Sequence, residues 1–276
     1  MATLAVMTNA EGVNGAPCGH DDVVRRSFER QVGLFEGEES ALGKQRASNV
    51  AWAGPLDADW IALDAACGAA HNAQALAPHV RQVVGVDITA AVLEVGRRRL
   101  ESDGICNVLL QEGDVATLSF VDASFDIVVC RAALHHFENP TRQVSEMARV
   151  CRPGGRVVLS DMVPVSPDMR DRFDEIHRWI DPAHDRALLP DEITALAASN
   201  VGTVGHDQVG QPIVLSLNAI LTEQSDTERV NAALQAELDG GPLTGFHPTR
   251  IEDGFRVEIA TMVVHATRDG GTALRA

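Results

Sequence analysis

The tightest constraint on this chain lies between residues 61 and 87. Ile61-Ala-Leu-Asp-Ala-Ala-Cys-Gly68 is an apolar strand running into a turn of small residues, and Val83-Val-Gly-Val-Asp87 is a second apolar strand ending in a carboxylate. The second acid falls about 20 residues beyond the turn, the spacing of a ribose-binding acid in a nucleotide-type βαβ unit. The pairing predicts a parallel sheet with a nucleoside-containing ligand at one end.

The rest of the chain extends that alternation. Apolar runs predict strands over 60–63, 83–86, 108–111, 125–130 and 156–160. Helices are expected up to 77, where Pro78 prevents continuation, over 90–102, and after Pro140, where Val144, Met147, Ala148 and Cys151 recur helically. Pro153-Gly154-Gly155 reads as the turn into the fifth strand. Strands alternating with helices at this spacing predict an α/β fold built on a doubly wound parallel sheet.

Five regions follow from the same reading. Residues 1–20 are a mobile tail, rich in glycine. Residues 21–59 form a helical cap, with Val24, Phe28 and Val32 at four-residue spacing and Phe28, Gln31 and Phe35 turned toward the pocket. Residues 60–162 are the ligand-binding core. Residues 163–254 supply a lid and acceptor-side elements, beginning with the stripe Met169, Phe173, Ile176 and Ile180 and a short helix over 191–198. Strands near 209–217 and 257–267, around a helix over 226–238, are expected to complete the sheet, with 255–276 as last strand and tail.

Composition removes several classes of function. Thirty-nine acidic against 23 basic residues give a formal charge of −16, which disfavours nucleic-acid binding because phosphate contacts need a basic surface. No apolar run is long enough to span a bilayer, no signal-peptide pattern opens the chain, and no basic helix seeks membranes. A soluble cytoplasmic protein is expected. The five cysteines at 18, 67, 106, 130 and 151 are odd in number and widely spaced, as suits reduced thiols, and no metal site is expected. Tyrosine is absent, so a proton acceptor must be His, Asp, Glu, Cys or the substrate itself.

Six segments in order, Asp64-Ala-Ala-Cys-Gly-Ala-Ala-His71, Gly85-Val-Asp87, Glu112-Gly-Asp114, Phe125-Asp-Ile-Val-Val129, Leu134-His-His-Phe137 and Arg149-Val-Cys-Arg-Pro-Gly-Gly155, resemble the class I S-adenosylmethionine-dependent methyltransferases. The nearest likeness is to the small-molecule branch of ubiquinone/menaquinone-biosynthesis type, over residues 60–162. Asp181-Pro-Ala-His-Asp-Arg186 also resembles an Asp-Pro-Ser-His-x-Arg stretch of some bacterial members. The resemblance implies a seven-stranded, Rossmann-like sheet with an antiparallel last strand, and S-adenosyl-L-methionine as cofactor. It assigns the methionine end to Asp64, Ala65, Cys67 and Gly68, the ribose hydroxyls to Asp87, and the adenine to Gly113 and Asp114, with Ile88 and Val115 flanking the ring. His71, beside the turn, and Arg131, at the end of the fourth strand, complete the cofactor side. Arg131 can equally hold a substrate carboxylate or an ordinary salt bridge.

One departure matters. The family turn reads Gly-x-Gly-x-Gly, and here Ala66 and Ala70 stand at the outer positions. Alanine there is expected to close off left-handed backbone and add a methyl near the ligand.

For the chemistry, His135 and His136 follow the fourth strand where substrate enters, and histidine titrates near neutrality. One of them, His135 by preference, is a candidate general base; a scaffold role capping the next helix stands beside that reading. Asp161 ends the fifth strand as a further acid or base. Phe35, His177 and His184 are substrate-side candidates, against the plainer reading of a lid stitched by surface ion pairs. The expected activity is methyl transfer to oxygen or carbon, and less readily nitrogen, of a small-molecule acceptor. Two alternatives stay open: the fold recruited for a non-methylating reaction such as cyclisation, or a non-catalytic partner subunit. A homodimer is compatible with either.

Overall fold

The computed structural model describes residues 19–35 and 50–270; most of the tail read over 1–20, the middle of the cap and the last six residues lie outside that range. Seven strands lie in one sheet in the order β3-β2-β1-β4-β5-β10-β6. They are β1 (Ile61–Ala65), β2 (Gln82–Asp87), β3 (Val108–Glu112), β4 (Phe125–Arg131), β5 (Cys151–Met162), β6 (Gly202–Val209) and β10 (Thr261–Arg268). β1 to β5 pair in parallel, and β10 runs antiparallel to both β5 and β6. The expected seven-stranded Rossmann-like sheet with its antiparallel last strand is therefore present.

Burial explains the central order. β1 and β4 are almost wholly apolar and lie between neighbours on both edges, with Leu63, Ile127, Val128 and Val129 fully buried. Such strands need helices on both faces to stay dry. Helices α2 (His71–Leu76), α3 (Ala90–Ser102), α4 (Pro140–Val150) and α6 (Pro190–Asn200) supply that cover. α4 starts on Pro140 behind an Asn139 side chain that accepts from Arg142 N–H, the pairing of N-cap and N1 proline that opens helices well. Strand order reverses between β1 and β4, so the loops leaving their carboxyl ends diverge and open a crevice there.

The late part of the chain departs from expectation. The strand read over 209–217 is two strands, and so is the strand read over 257–267. β6 ends at Val209, and β7 (Ile213–Ser216) joins a second, three-stranded sheet in the order β7-β9-β8 with β8 (Thr249–Ile251) and β9 (Gly254–Ile259). Pro212 has no N–H to give a ladder, and both ribbons cross between sheets at one place, where Gly210 N–H donates to Thr261 O at 2.8 Å and Thr261 Oγ1 donates to Gln211 O at 2.9 Å. The boundary between lid and last strand, read at 254/255, thus falls one strand early. β8 has no exposed-to-buried alternation, all three residues being exposed, and carries no sequence signal.

Helices α5 (Pro167–Ile180) and α7 (Thr227–Leu238) pack with this small sheet around Phe173, Ile176, Phe246 and Phe255. Helix α1 (His20–Arg30), followed by a 3₁₀ turn (Val32–Leu34), lies across the crevice with Phe28, Val32 and Phe35 against Val92 and Val95 of α3. Among the described residues no helix is long and apolar enough to cross a membrane.

Candidate active site

The crevice is a cavity of about 200 Å³. One side is built by the turns after β1, β2 and β3, the other by the segment after β4 together with α5 and the loop that follows it, and α1 closes the top. Of the residues singled out from sequence, Cys67, Gly68, His71, Asp87, Ile88, Gly113, Asp114, Val115 and Arg131 line the first side, His135, His136, His177 and His184 the second, and Phe35 the top, where it packs on α3 above His71.

Asp64 and Ala65 do not reach the wall. Both are fully buried, held in the sheet layer opposite Gly85 and Val86 of β2 and Val129 and Cys130 of β4. The chain lifts toward the cavity only at Ala66, after the strand has ended. Neither Asp64 oxygen has a hydrogen bond of ordinary geometry, although the Ala73 amide and the Asn72 side chain lie close by. Burial, opposed by the Ala73 amide and reinforced by the Asp87 charge, pushes its carboxyl up to about 7.

The turn itself corrects a second expectation. Ala66, Gly68 and Ala70 take φ of 55°, 54° and 62°, so the two alanines occupy the left-handed conformation that the absent glycines would have held. Arg99 fixes the turn from below, donating from Nη1 to His71 Nε2 at 2.9 Å, from Nε to Gln74 at 2.8 Å and from Nη2 to the Ala69 carbonyl. Gly68 has open space where a Cβ would stand. Asp87 spans the turn: Oδ2 accepts from Gly68 N–H at 2.8 Å and Oδ1 from Thr89 N–H at 2.9 Å. Burial raises its carboxyl, and those amides oppose the shift. Asp114 accepts from Ala116 N–H through Oδ1 at 2.7 Å. Arg131 donates to Asn72 at 3.3 Å and lies 5.1 Å from the Trp52 ring.

This donor set has a clear chemistry. Two carboxylates end adjacent strands, each oxygen that takes an amide keeping a second lone pair for a hydroxyl or amino hydrogen, with Ile88 and Val115 as apolar walls between them. It suits an adenosine with a short polar tail and leaves a pyrophosphate opposite carboxylates. Among the described residues no group of three or more His, Cys, Asp or Glu side chains could hold a metal ion.

Across the cavity, His135 and Asp161 form a buried pair. His135 Nδ1 is 2.8 Å from Asp161 Oδ1, and the His135 backbone N–H donates to Oδ2 at 3.0 Å. Burial works to raise Asp161, but the His135 charge, its hydrogen bonds and the Met162 amide outweigh it and hold the carboxyl below its ordinary value. An ionised Asp161 accepts from Nδ1–H, which leaves the lone pair of a neutral His135 on Nε2, a nitrogen with no hydrogen bond among the described residues. His136 makes a different bond, Nδ1–H to the Ala183 carbonyl at 2.9 Å, and burial with the facing His135 lowers it to about 4.

His177 and His184 are not on an ion-paired surface. Their rings lie 4.8 Å apart at 18°, and His184 Nε2 is 2.7 Å from Asp174, whose side chain is also buried. Burial and the neighbouring histidines push both rings well below the usual histidine range. The plainer reading, a lid stitched by surface ion pairs, would put Asp174 among surface charges. Its position beside Phe173, in the apolar stripe of α5, was the available signal. His20, taken as structural tail, caps the site by bonding from Nε2 to the His136 carbonyl at 2.8 Å.

Comparisons with known proteins converge on one family. A methyltransferase-domain family matches residues 63–159. The chain is 37% identical to the uncharacterized methyltransferase YcgJ of Bacillus subtilis over 50% of its own length and 55% of that protein's. It is 30% identical to the demethylmenaquinone methyltransferase of Anoxybacillus flavithermus over 59% of itself and 72% of that protein. Across the first curated relatives the matched stretch spans only 49% to 64% of their length. The crystal structure of YcgJ superimposes with a TM-score of 0.66 at 23% identity, covering 89% of this chain and 99% of that one, a likeness of fold.

Proposed function

Because the chain belongs to the S-adenosylmethionine-dependent methyltransferases, we propose that it transfers the cofactor's methyl group to an oxygen or carbon of a small, uncharged metabolite, with His135 as the proton acceptor. The observation that carries this reading is the shared cavity: Asp87 and Asp114 on one wall and, on the other, His135, backed by the buried Asp161.

Bound S-adenosylmethionine supplies an electrophilic methyl carbon on a sulfonium. Asp87 would accept from the ribose hydroxyls and Asp114 from the adenine amino group, with Ile88 and Val115 as apolar contacts for the base. Arg131 and Asn72 would hold the methionine carboxylate. Asp64, beneath the turn, would not touch the ligand. Phe28, Leu34, Phe35, Ile180 and Ile220 exclude water from the reaction space. Alignment of nucleophile with the methyl supplies on the order of 7–11 kcal/mol in well-oriented systems.

The acceptor's hydroxyl or enol proton passes to Nε2 of His135, and the ionised Asp161 stabilises the resulting imidazolium. His136, His177 and His184 stay neutral, so none of these rings adds a positive charge against that proton. Their neutrality favours an uncharged acceptor. The test is incubation with methyl-labelled cofactor and a panel of phenols, enols and amines, read by mass spectrometry. Gain of one methyl on a phenol or enol, with the rate reduced about 10²–10⁴-fold in His135→Gln, supports the reading. Turnover of amines alone, or His135→Gln equal to the parent, overturns it.

A further inference from the structure

A second His–carboxylate pair lies directly behind the first. His184 has no exposed side-chain surface and is held by Asp174, whose Oδ1 also accepts from Ala187 N–H at 2.9 Å. With Nε2–H committed to that carboxylate, Nδ1 carries the lone pair and has no partner. His184 therefore offers its neighbours ring faces and no donor. Its ring packs against His135 at 5.5 Å and 28° and against His177 at 4.8 Å and 18°, and His135 and His177 are themselves 6.4 Å apart, so the three rings form a compact cluster. Phe173 and Phe246 close the cluster, 4.5 and 4.8 Å from His177.

The loop carrying His184 is tied to the same target. Asp185 N–H and Arg186 N–H both donate to the His135 carbonyl, at 2.9 and 3.2 Å, and Ala183 O takes the His136 ring proton. Asp181 closes the loop on itself through Ala183 N–H at 2.8 Å and reaches α1 through Ser27 Oγ at 2.9 Å. Backbone and ring of His135 are thus gripped from one side by a single short segment, while Asp161 holds the other.

We propose that His184 is a positioning residue: pinned by Asp174, its ring is the back-stop that keeps His135 on Asp161 with Nε2 directed into the cavity. This rests on His135 being the proton acceptor. A ring at His184 is the requirement, because the contact to His135 is ring against ring, offset at 5.5 Å and 28°, and the hydrogen bond to Asp174 serves only to hold that ring. Phenylalanine can replace the stack; glutamine can reach Asp174 but has no ring to offer.

The test uses the whole chain saturated with S-adenosylhomocysteine and ¹⁵N-labelled at histidine. The Nδ1–H proton of His135, bonded to a buried carboxylate, gives a low-field resonance with slow solvent exchange, identified by its loss in Asp161→Asn. In His184→Gln that proton should exchange at least tenfold faster than in the parent, while His184→Phe keeps it within about twofold. Circular dichroism on both variants confirms folding, and His184→Ala adds a third that lacks both ring and hydrogen bond. Exchange in His184→Gln equal to the parent, or His184→Phe as fast as His184→Gln, overturns the proposal. Calorimetric titration with S-adenosylhomocysteine runs alongside. No heat from the parent would contradict the cofactor assignment, and the exchange rates, measured then without ligand, would still decide the role of His184.

Discussion

At the scale of single residues, the turn after β1 works under strain that its sequence makes visible. A left-handed alanine costs roughly 1–2 kcal/mol against a right-handed one, part of which glycine returns through its freer unfolded chain. Ala66→Gly should therefore raise stability by up to about 1 kcal/mol in urea unfolding and tighten cofactor binding by removing a methyl from the wall. Lower stability together with weaker binding would show that this methyl packs usefully. Asp64 gives a signed pH effect. Its folded-state value, about 7 against an ordinary 3.8, means that its contribution is fully present below pH 4 and is lost as pH rises through 7. Asp64→Asn, which mimics the protonated carboxyl, should leave stability unchanged near pH 4. Near pH 8.5 it should add stability, on the order of 4 kcal/mol at most. An equal gain at both pH values would contradict the account.

At the scale of elements, β5 shows how a bulge sets the floor of the site. Phe125 pairs with Cys151 and Ile127 with Arg156, so the residues between are extruded at Pro153-Gly154-Gly155, and the ladder resumes in register to deliver Asp161 under His135. A Cβ at Gly155 would stand 2.8 Å from the Asp126 carbonyl and 2.7 Å from Cys151 Sγ. Gly155→Ala should cost about 1–3 kcal/mol, read as a lowered unfolding midpoint. No change would mean that the bulge relaxes freely. Elements of this kind were legible in sequence because burial on both faces leaves nothing but apolar runs between glycine and proline breaks, as in β4. The Pro-Gly-Gly segment announced itself as a turn, but nothing local told that the strand already begins at Cys151. The division of the late strands between two sheets was hidden for a related reason. β6 and β7 are separated by three residues, β9 and β10 by Ala260 alone, and the register that parts them is set by a tertiary crossing. Asp64 was misplaced because a motif fixes position along the chain, whereas side-chain access depends on where the backbone first turns left-handed. The partner of His184 was missed because Asp174 sits amid charged neighbours whose solvent-facing sides are visible only in three dimensions.

At the scale of the whole molecule, three separately packed units converge on two histidines. The parallel sheet brings His135 and Asp161 together, the small sheet with α5 and α7 supplies the ring stack, and α1 crosses the top to bond His136 through His20. At this scale neutral imidazoles and apolar side chains gather where the acceptor would sit. All of this has meaning only if the opposite wall holds a nucleoside. The most direct measurement is calorimetric titration of S-adenosylhomocysteine into the parent and into Asp87→Ala, both shown folded by circular dichroism. The account predicts one site per chain in the parent and affinity at least tenfold weaker in the variant, equivalent to about 1.4 kcal/mol or more. Equal affinities in the two proteins, or no uptake by the parent, would contradict it.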